Sequence, residues 1–266
     1  MDILRRELAP ISPEGWSLID TTAKETLCAN LSGRKFVDID GPHGIAYAAS
    51  PLGRLTVVKE TSGKDLGYGI HRVQPLAETR VHFDLPIWEL DNLARGAKDI
   101  NLDALMAACR TAAAFEETAV FDGLEPAGIA GLHQAVAGHT LPLSLAADAI
   151  TEEVREGQME LAAAGAAGPM NLVVNEAICK FLSHAIPGGV LRDIIEKQVG
   201  GSVIYSAAVK DAILVAGRGG DAVLTIGQDF AIGYHGHNVT TVNLFLAESF
   251  TFRVVTPEAM VGFTLR

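Results

Sequence analysis

The chain has 266 residues, 48% of them hydrophobic and 20% charged, with 32 acidic against 21 basic side chains and a formal net charge of −11. That apolar content excludes an intrinsically disordered protein, and the length suits one large or two ordinary domains around a sizeable core. No apolar run reaches the ~20 residues a bilayer requires, and an isoelectric point near 5.1 argues against sustained nucleic-acid binding, which needs clustered Lys and Arg.

The first residues, Met1-Asp2-Ile3-Leu4-Arg5-Arg6, lack the long apolar stretch of a secretory signal. Ser12-Pro13-Glu14 starts a helix, since Ser is a preferred cap and Pro fits the first helical position. Trp16, Ile19, Ala23, Leu27 and Leu31 recur at three- and four-residue steps along one face, and Gly33 is the expected terminator. Phe36 to Pro42 reads as a short extended piece closed by a Gly-Pro break.

Arg54–Lys59 and Leu66–Gln74 read as two strands flanking the polar turn Thr61-Ser62-Gly63-Lys64-Asp65. This hairpin has few large apolar residues and is marginal by itself, so it leans on the body of the chain or on a second copy. The next strand alternates cleanly: Thr79, Val81, Phe83 and Leu85 on one face, Glu78, Arg80, His82 and Asp84 on the other. Asn101 is a candidate cap for a helix to about Thr118, roughly 25 Å long. The Gly- and Ala-rich stretch Gly123–Gly138 is the expected domain boundary.

From about 140 to 221 the pattern is a separate α/β unit. Leu145–Ala163, Glu176–Phe181 and Leu191–Gln198 read as helices, with Leu172–Val174, Val203–Tyr205 and Ile213–Val215 as short buried strands. Arg218-Gly219-Gly220-Asp221 is a turn by composition. The last segment carries the strongest strand signal: Val242, Leu244, Leu246, Phe250, Phe252 and Val254 share one face, interrupted by Glu248. About 14 such residues span roughly 45 Å, which suits an extended subunit.

Recognisable chemistry is absent. Gly217-Arg218-Gly219-Gly220 matches no phosphate-binding pattern, and neither HExxH nor GxSxG occurs. His235-Gly236-His237 puts two imidazoles on alternate residues but lacks further metal ligands, so a solvated loop competes with a metal site. Asp84, Glu89 and Asp91 crowd Trp88, yet nothing separates their acidities into acid and base. Cys28, Cys109 and Cys179 are odd in number and far apart, which suits small buried thiols in a reducing cytosol and points to a cytoplasmic location.

Several blocks in fixed order do carry a signal: Leu4-Arg5-Arg6-Glu7-Leu8-Ala9-Pro10-Ile11, Gly33–Ile39, Gly41-Pro42, Trp88–Asn92, Ala94-Arg95-Gly96, Arg218–Asp221, Gly227-Gln228-Asp229, Ile232-Gly233-Tyr234 and Glu248–Phe252. Each is weak alone. Together, from the first residues to the last, the order resembles the family 1 encapsulins, linocin-type bacterial shell proteins. The resemblance implies an α+β, HK97 phage-capsid-like fold. Its parts would be an N-terminal helix with part of the peripheral domain (1–48), an extended loop (49–83), the peripheral domain with its spine helix (84–130), an axial domain (131–221) and the peripheral sheet (222–266).

The implied function is a self-assembling, icosahedral nanocompartment shell rather than an enzyme. It would enclose a cargo enzyme, such as a dye-decolorising peroxidase or a ferritin-like protein, through the cargo's C-terminal tail. By resemblance the cargo-tail pocket lies around Leu31, Arg34, Asp38, Asp229, Phe230 and Ile232; an ordinary surface ion pair is the other reading of Arg34 and Asp38. Some members carry a flavin beside residues matching Trp88 and Arg80; plain packing is the alternative for Trp88, and no other cofactor is implied. The axial pore would lie at His184, Ala185, Ile186, Pro187 and Gly188, where this sequence departs from the family pattern by one residue. A phage or prophage major capsid protein shares the fold, but an acidic chain is a poor wall for packed DNA. A protease has no nucleophile–base arrangement to support it.

Overall fold

The structure, a computed structural model, describes residues 3–58, 67–187 and 189–266. Helix α1 (Pro13–Asn30) starts where Ser12 and Pro13 predict, the Ser12 hydroxyl accepting the Gly15 N–H at 3.1 Å. Its buried face is Gly15, Ile19, Ala23 and Leu27, and it ends at Leu31. Gly33 therefore does not close the helix; it opens the 3-10 turn Gly33–Lys35. Strand β1 (Asp38–Asp40) stops at Gly41, whose φ of +132° and close approach to the Ile226 carbonyl leave no room for a Cβ.

Strands β2 (Ala49–Val58) and β3 (Tyr68–Pro75) form the expected hairpin, and the polar turn 61–65 lies outside the described residues. In β4 (Ala77–Pro86) the predicted alternation is present, with Phe83 and Leu85 buried and Glu78, Arg80, His82 and Asp84 exposed. Helices α2 (Ile87–Ala94) and α3 (Asp103–Phe121) follow. Leu102, not Asn101, occupies the α3 cap position, while Asn101 Oδ1 accepts the Asp103 N–H at 2.9 Å.

Strands β5 (Gly123–Leu124) and β6 (Ile129–Ala130) and helix α4 (Leu132–Val136) occupy the expected domain boundary. Ala127, Ile129, Leu132 and Val136 are buried, so this stretch is packed core and not a linker. Next come β7 (Thr140–Leu143), α5 (Ala147–Ala163), β8 (Met170–Val174), α6 (Glu176–Leu182), β9 (Ala185–Ile186), β10 (Gly189–Val190), α7 (Leu191–Val199), β11 (Val203–Tyr205) and β12 (Ala212–Ala216). The chain closes with β13 (Ala222–Ile226), β14 (Ala231–His237), β15 (Thr241–Val254) and β16 (Met260–Leu265).

Two sheets organise the molecule. In the first, β15 runs the full 14 residues read from the sequence and pairs antiparallel with β4 along one edge. Along its other edge it pairs with β14 (residues 242–247) and then β13 (residues 250–254), so these two form one interrupted strand. Parallel β1 lies outside β13. The interruption, Gly227–Phe230, sits opposite Glu248 and Ser249, with the Ser249 N–H donating to the Gln228 carbonyl at 2.9 Å.

The second sheet has the order β11-β8-β12-β16-β7. The expected division placed all of 222–266 in the first sheet; residues 260–265 instead cross to the second, where β16 pairs with β12 and β7. Burial drives the crossing, because Met260, Val261 and Phe263 have core sites there. Helices α1 and α3 cover the first sheet and α5, α6 and α7 one face of the second, while α4 and the end of α3 meet the second sheet's other face. Val173, Ile213, Val215 and Met260 of the second sheet share a third apolar layer with Leu224, Ile226, Phe250 and Phe252 of the first. The two units are thus joined by core packing.

Candidate functional site

A cleft of about 670 Å³ opens between α1 and the edge of the first sheet at the β13–β14 interruption. Ala23, Leu27 and Leu31, four residues apart, give it an apolar helical wall, and Phe230, Ile232 and Leu246 give the sheet wall. Its rim carries the Arg6–Asp20 ion pair (2.7 Å), Lys24, Lys35 and the exposed Cys28. Cys28 departs from the buried-thiol reading, which holds for Cys109; that thiol is pushed up to about 11 by burial.

Leu31, Arg34, Asp229, Phe230 and Ile232 all line this cleft, and Asp38 does not. Asp38 Oδ2 accepts the Gly220 N–H at 2.6 Å, tying β1 to the 218–221 turn beside a smaller polar cleft. In that turn Arg218 holds Asp221 through two bonds of 2.9 Å. With Asp38 already bound to one of its N–H groups, the glycine turn is a structural joint and not a phosphate cradle.

The floor of the cleft is charged. Arg34 donates from Nε to both Glu116 oxygens at 3.0 Å, from Nη2 to Glu116 Oε2 at 2.5 Å and to Glu248 Oε1, and from Nη1 to Asp229 Oδ1 at 2.9 Å. Its guanidinium also lies 5.0 Å from the Phe230 ring centroid, a cation–π contact in the cleft wall. Arg34 and Asp38 were open to reading as a surface ion pair; Arg34 instead serves Glu116 and Glu248, whose side chains are fully buried. Burial alone would lower the Arg34 pKa, but hydrogen bonding to Glu116 and the surrounding carboxylates hold it above its ordinary value.

Glu116 and Glu117, consecutive on α3, fix Arg34 from two sides. Glu117 accepts the Gly33 N–H at 2.8 Å and the Ser32 hydroxyl, pinning the 3-10 turn that carries Arg34. Burial pushes the Glu117 carboxyl above its usual range against the pull of those bonds. None of the three glutamates was nominated from the sequence. Glu248 left one trace, as the residue interrupting the apolar face of β15. Glu116 and Glu117 left none, because their burial depends on elements about 80 residues away in the chain.

The remaining candidates disperse. Arg80 lies six residue steps along β4 from Pro86, next to α2, which is about 20 Å. Arg80 pairs with Glu78 at 3.1 Å and covers Phe245, while the exposed Trp88 ring meets Arg95. Arg80 and Trp88 thus sit on different elements with separate partners. Ala185 and Ile186 pair with Val190 and Gly189 in a small hairpin after α6, with His184 and Pro187 exposed beside it; Gly188 lies outside the described residues.

A β-bulge between Tyr234 and Gly236 separates the paired histidines. His237 bonds the Tyr234 hydroxyl, whereas His235 faces His82 with ring centroids 5.2 Å apart. Among the described residues no group of three or more His, Cys, Asp or Glu could hold a metal ion. Asp84 accepts from Asn243 at 2.5 Å, Glu89 from the Asn101 N–H at 3.1 Å, and Asp91 pairs with Arg95 at 3.7 Å. Each carboxylate is spent on local structure.

Residues 1–251 match the model of the Linocin_M18 family, described as an encapsulating protein for peroxidase. A type 1 encapsulin shell protein of Rhodospirillum rubrum is 38% identical over 269 residues, covering 98% of this chain and 96% of that protein. Among solved structures, the virus-like particle of Pyrococcus furiosus superposes with a TM-score of 0.63 at 15% identity, over 91% of this chain and 96% of that one. The capsid of Myoviridae phage XM1 does so with a TM-score of 0.57 at 10% identity, over 87% and 90%. At such identities the two particles speak for the HK97-like fold alone.

Proposed function

The chain belongs to the type 1 encapsulin shell protein family, and from that premise we propose that the cleft over Arg34 docks the C-terminal tail of an encapsulated enzyme. The chain is a self-assembling shell protein with an HK97-like α+β fold, and no helix of the described residues is long and apolar enough to cross a membrane. One observation carries the docking reading: an open apolar trough ends on a fixed guanidinium and a half-exposed carboxylate, Asp229. Such a trough takes an extended segment with small apolar side chains and a few polar groups. A flexible tail loses conformational entropy on docking, so one site is weak. An oligomeric guest facing many copies gains through effective concentration.

The guest class follows from the family description, a peroxidase, with ferritin-like enzymes as the other expected class. In this reading the chain itself performs no catalysis and the compartment is cytoplasmic. The β2–β3 hairpin would lie on a neighbouring subunit: Leu55, Val57, Ile70 and Val73 are all more than half exposed in the single chain, and cross-strand pairing puts apolar residues on both of its faces. The β9–β10 hairpin with His184 and Pro187 would border the axial pore.

The test is co-expression of the shell with a fluorescent protein bearing the last ~30 residues of the peroxidase or ferritin-like protein encoded beside it, a length ample for an extended tail to cross the cleft. Megadalton particles that retain the fluorescent protein are expected. Hollow particles that retain none of it, with or without the tail, would overturn the docking reading.

A further inference from the structure

The buried cluster beneath the cleft is out of charge balance. Arg34 is the single cation among Glu116, Glu248 and Asp229. With all three acids ionised, two negative charges would stay uncompensated, and two of the acids have no access to solvent. Glu248 is the odd member. Its Oε1 accepts from Arg34, but its Oε2 is fully buried and meets no donor. A buried carboxylate oxygen without a donor is costly. Glu116 Oε2 and Glu248 Oε1 both accept from the same Arg34 nitrogen, Nη2, which brings the two buried carboxyls together.

We propose that Glu248 stores a proton, held where its carboxyl meets that of Glu116, and that this proton sets the charge of the cleft floor. Two carboxyls in contact cannot both ionise cheaply, so one keeps its proton. Glu116 is the ionised partner because Arg34 grips both of its oxygens, whereas Glu248 receives one bond from Arg34 at one oxygen. Burial and then repulsion from Glu116 act in the same direction, raising the Glu248 carboxyl well above its ordinary value. The groups facing it are Arg34 from the 3-10 turn, Glu116 from α3 and Asp229 from the strand interruption; its partner on β4 is the uncharged Thr79. Loss of the proton doubles the uncompensated negative charge under the docking cleft and disfavours an anionic occupant. That last consequence rests on the docking reading; the proton does not.

Infrared difference spectroscopy of assembled shells at neutral pH, wild type minus Glu248→Gln, reads the proton directly. A protonated-carboxyl C=O band present in wild type and missing in E248Q is expected. Glu116→Gln should also remove the band, because Glu248 then becomes the principal counter-ion of Arg34; this variant decides the matter if E248Q does not assemble. A carboxyl with a higher pKa folded than unfolded makes stability fall as pH rises from about 4.3 to its folded value. The thermal midpoint of E248Q should therefore fall less over that range than that of wild type. A wild-type spectrum without the band, a band retained in both variants, or parallel pH profiles would overturn the proposal. None of these measurements involves a guest, so their failure leaves the docking reading standing.

Discussion

Arg34 and Glu116, 82 residues apart in the chain, meet through hydrogen bonds of 3.0, 3.0 and 2.5 Å, so the guanidinium is gripped side-on and its remaining nitrogen points to Asp229 in the cleft. This contact ties α1's exit turn to α3. It makes one residue both a strut of the subunit and a wall of the cleft.

Removal of Arg34 should therefore damage the subunit before it reports on docking. Arg34→Ala leaves Glu116 and Glu248 buried without their cation, and breaking a buried pair this way costs about 3–5 kcal/mol. Arg34→Lys should recover only part of this, since an ammonium cannot reproduce the side-on grip. The urea midpoint at fixed protein concentration measures both, and a wild-type midpoint for R34A would remove the strut role.

Asp229 and Phe230 are the cleaner probes. The Asp229 side chain is 46% exposed, so Asp229→Lys should leave particles intact. Phe230→Ala removes an aromatic wall, a loss of about 1–2 kcal/mol per site, or roughly tenfold in affinity. Guest-to-shell ratios from native mass spectrometry should fall in both variants; unchanged ratios in both would place the docking site elsewhere.

Thiol chemistry should map cleft occupancy. Cys28 is exposed on the cleft rim, while Cys109 is buried with its thiol pushed up to about 11. Maleimide should label Cys28 rapidly and Cys109 only after unfolding, because the thiolate is the reactive form. Saturating guest-tail peptide should slow labelling at Cys28 and leave Cys179 unaffected. Equal rates with and without peptide would count against occupancy of the cleft.

The hairpin should decide assembly without deciding subunit folding. Val57 and Ile70 are 69% and 59% exposed in the single chain, so Val57→Asp or Ile70→Asp should cost the subunit no more than about 0.5 kcal/mol. Placed in a subunit interface, either charge should abolish particles, read by gel filtration and negative-stain microscopy. Full-sized particles from both variants would show that the hairpin is not an interface element.

Local order was legible in the residues themselves. Ser12-Pro13 marks the start of α1, strict alternation defines β4, and a 14-residue apolar face defines β15. These signals are periodicities and caps, which act over a few residues and survive in a linear reading. The collinear blocks likewise pointed to the shell family and to most of the cleft. Tertiary structure alone decided what depends on partners distant in sequence. It sent Asp38 to Gly220 instead of the cleft, parted His235 from His237 through a bulge, and moved residues 260–265 into the second sheet. It also gathered Glu116, Glu117 and Glu248 around the Arg34 turn. Whether a carboxylate is solvated or buried against two others is a property of packing, and no local pattern encodes it.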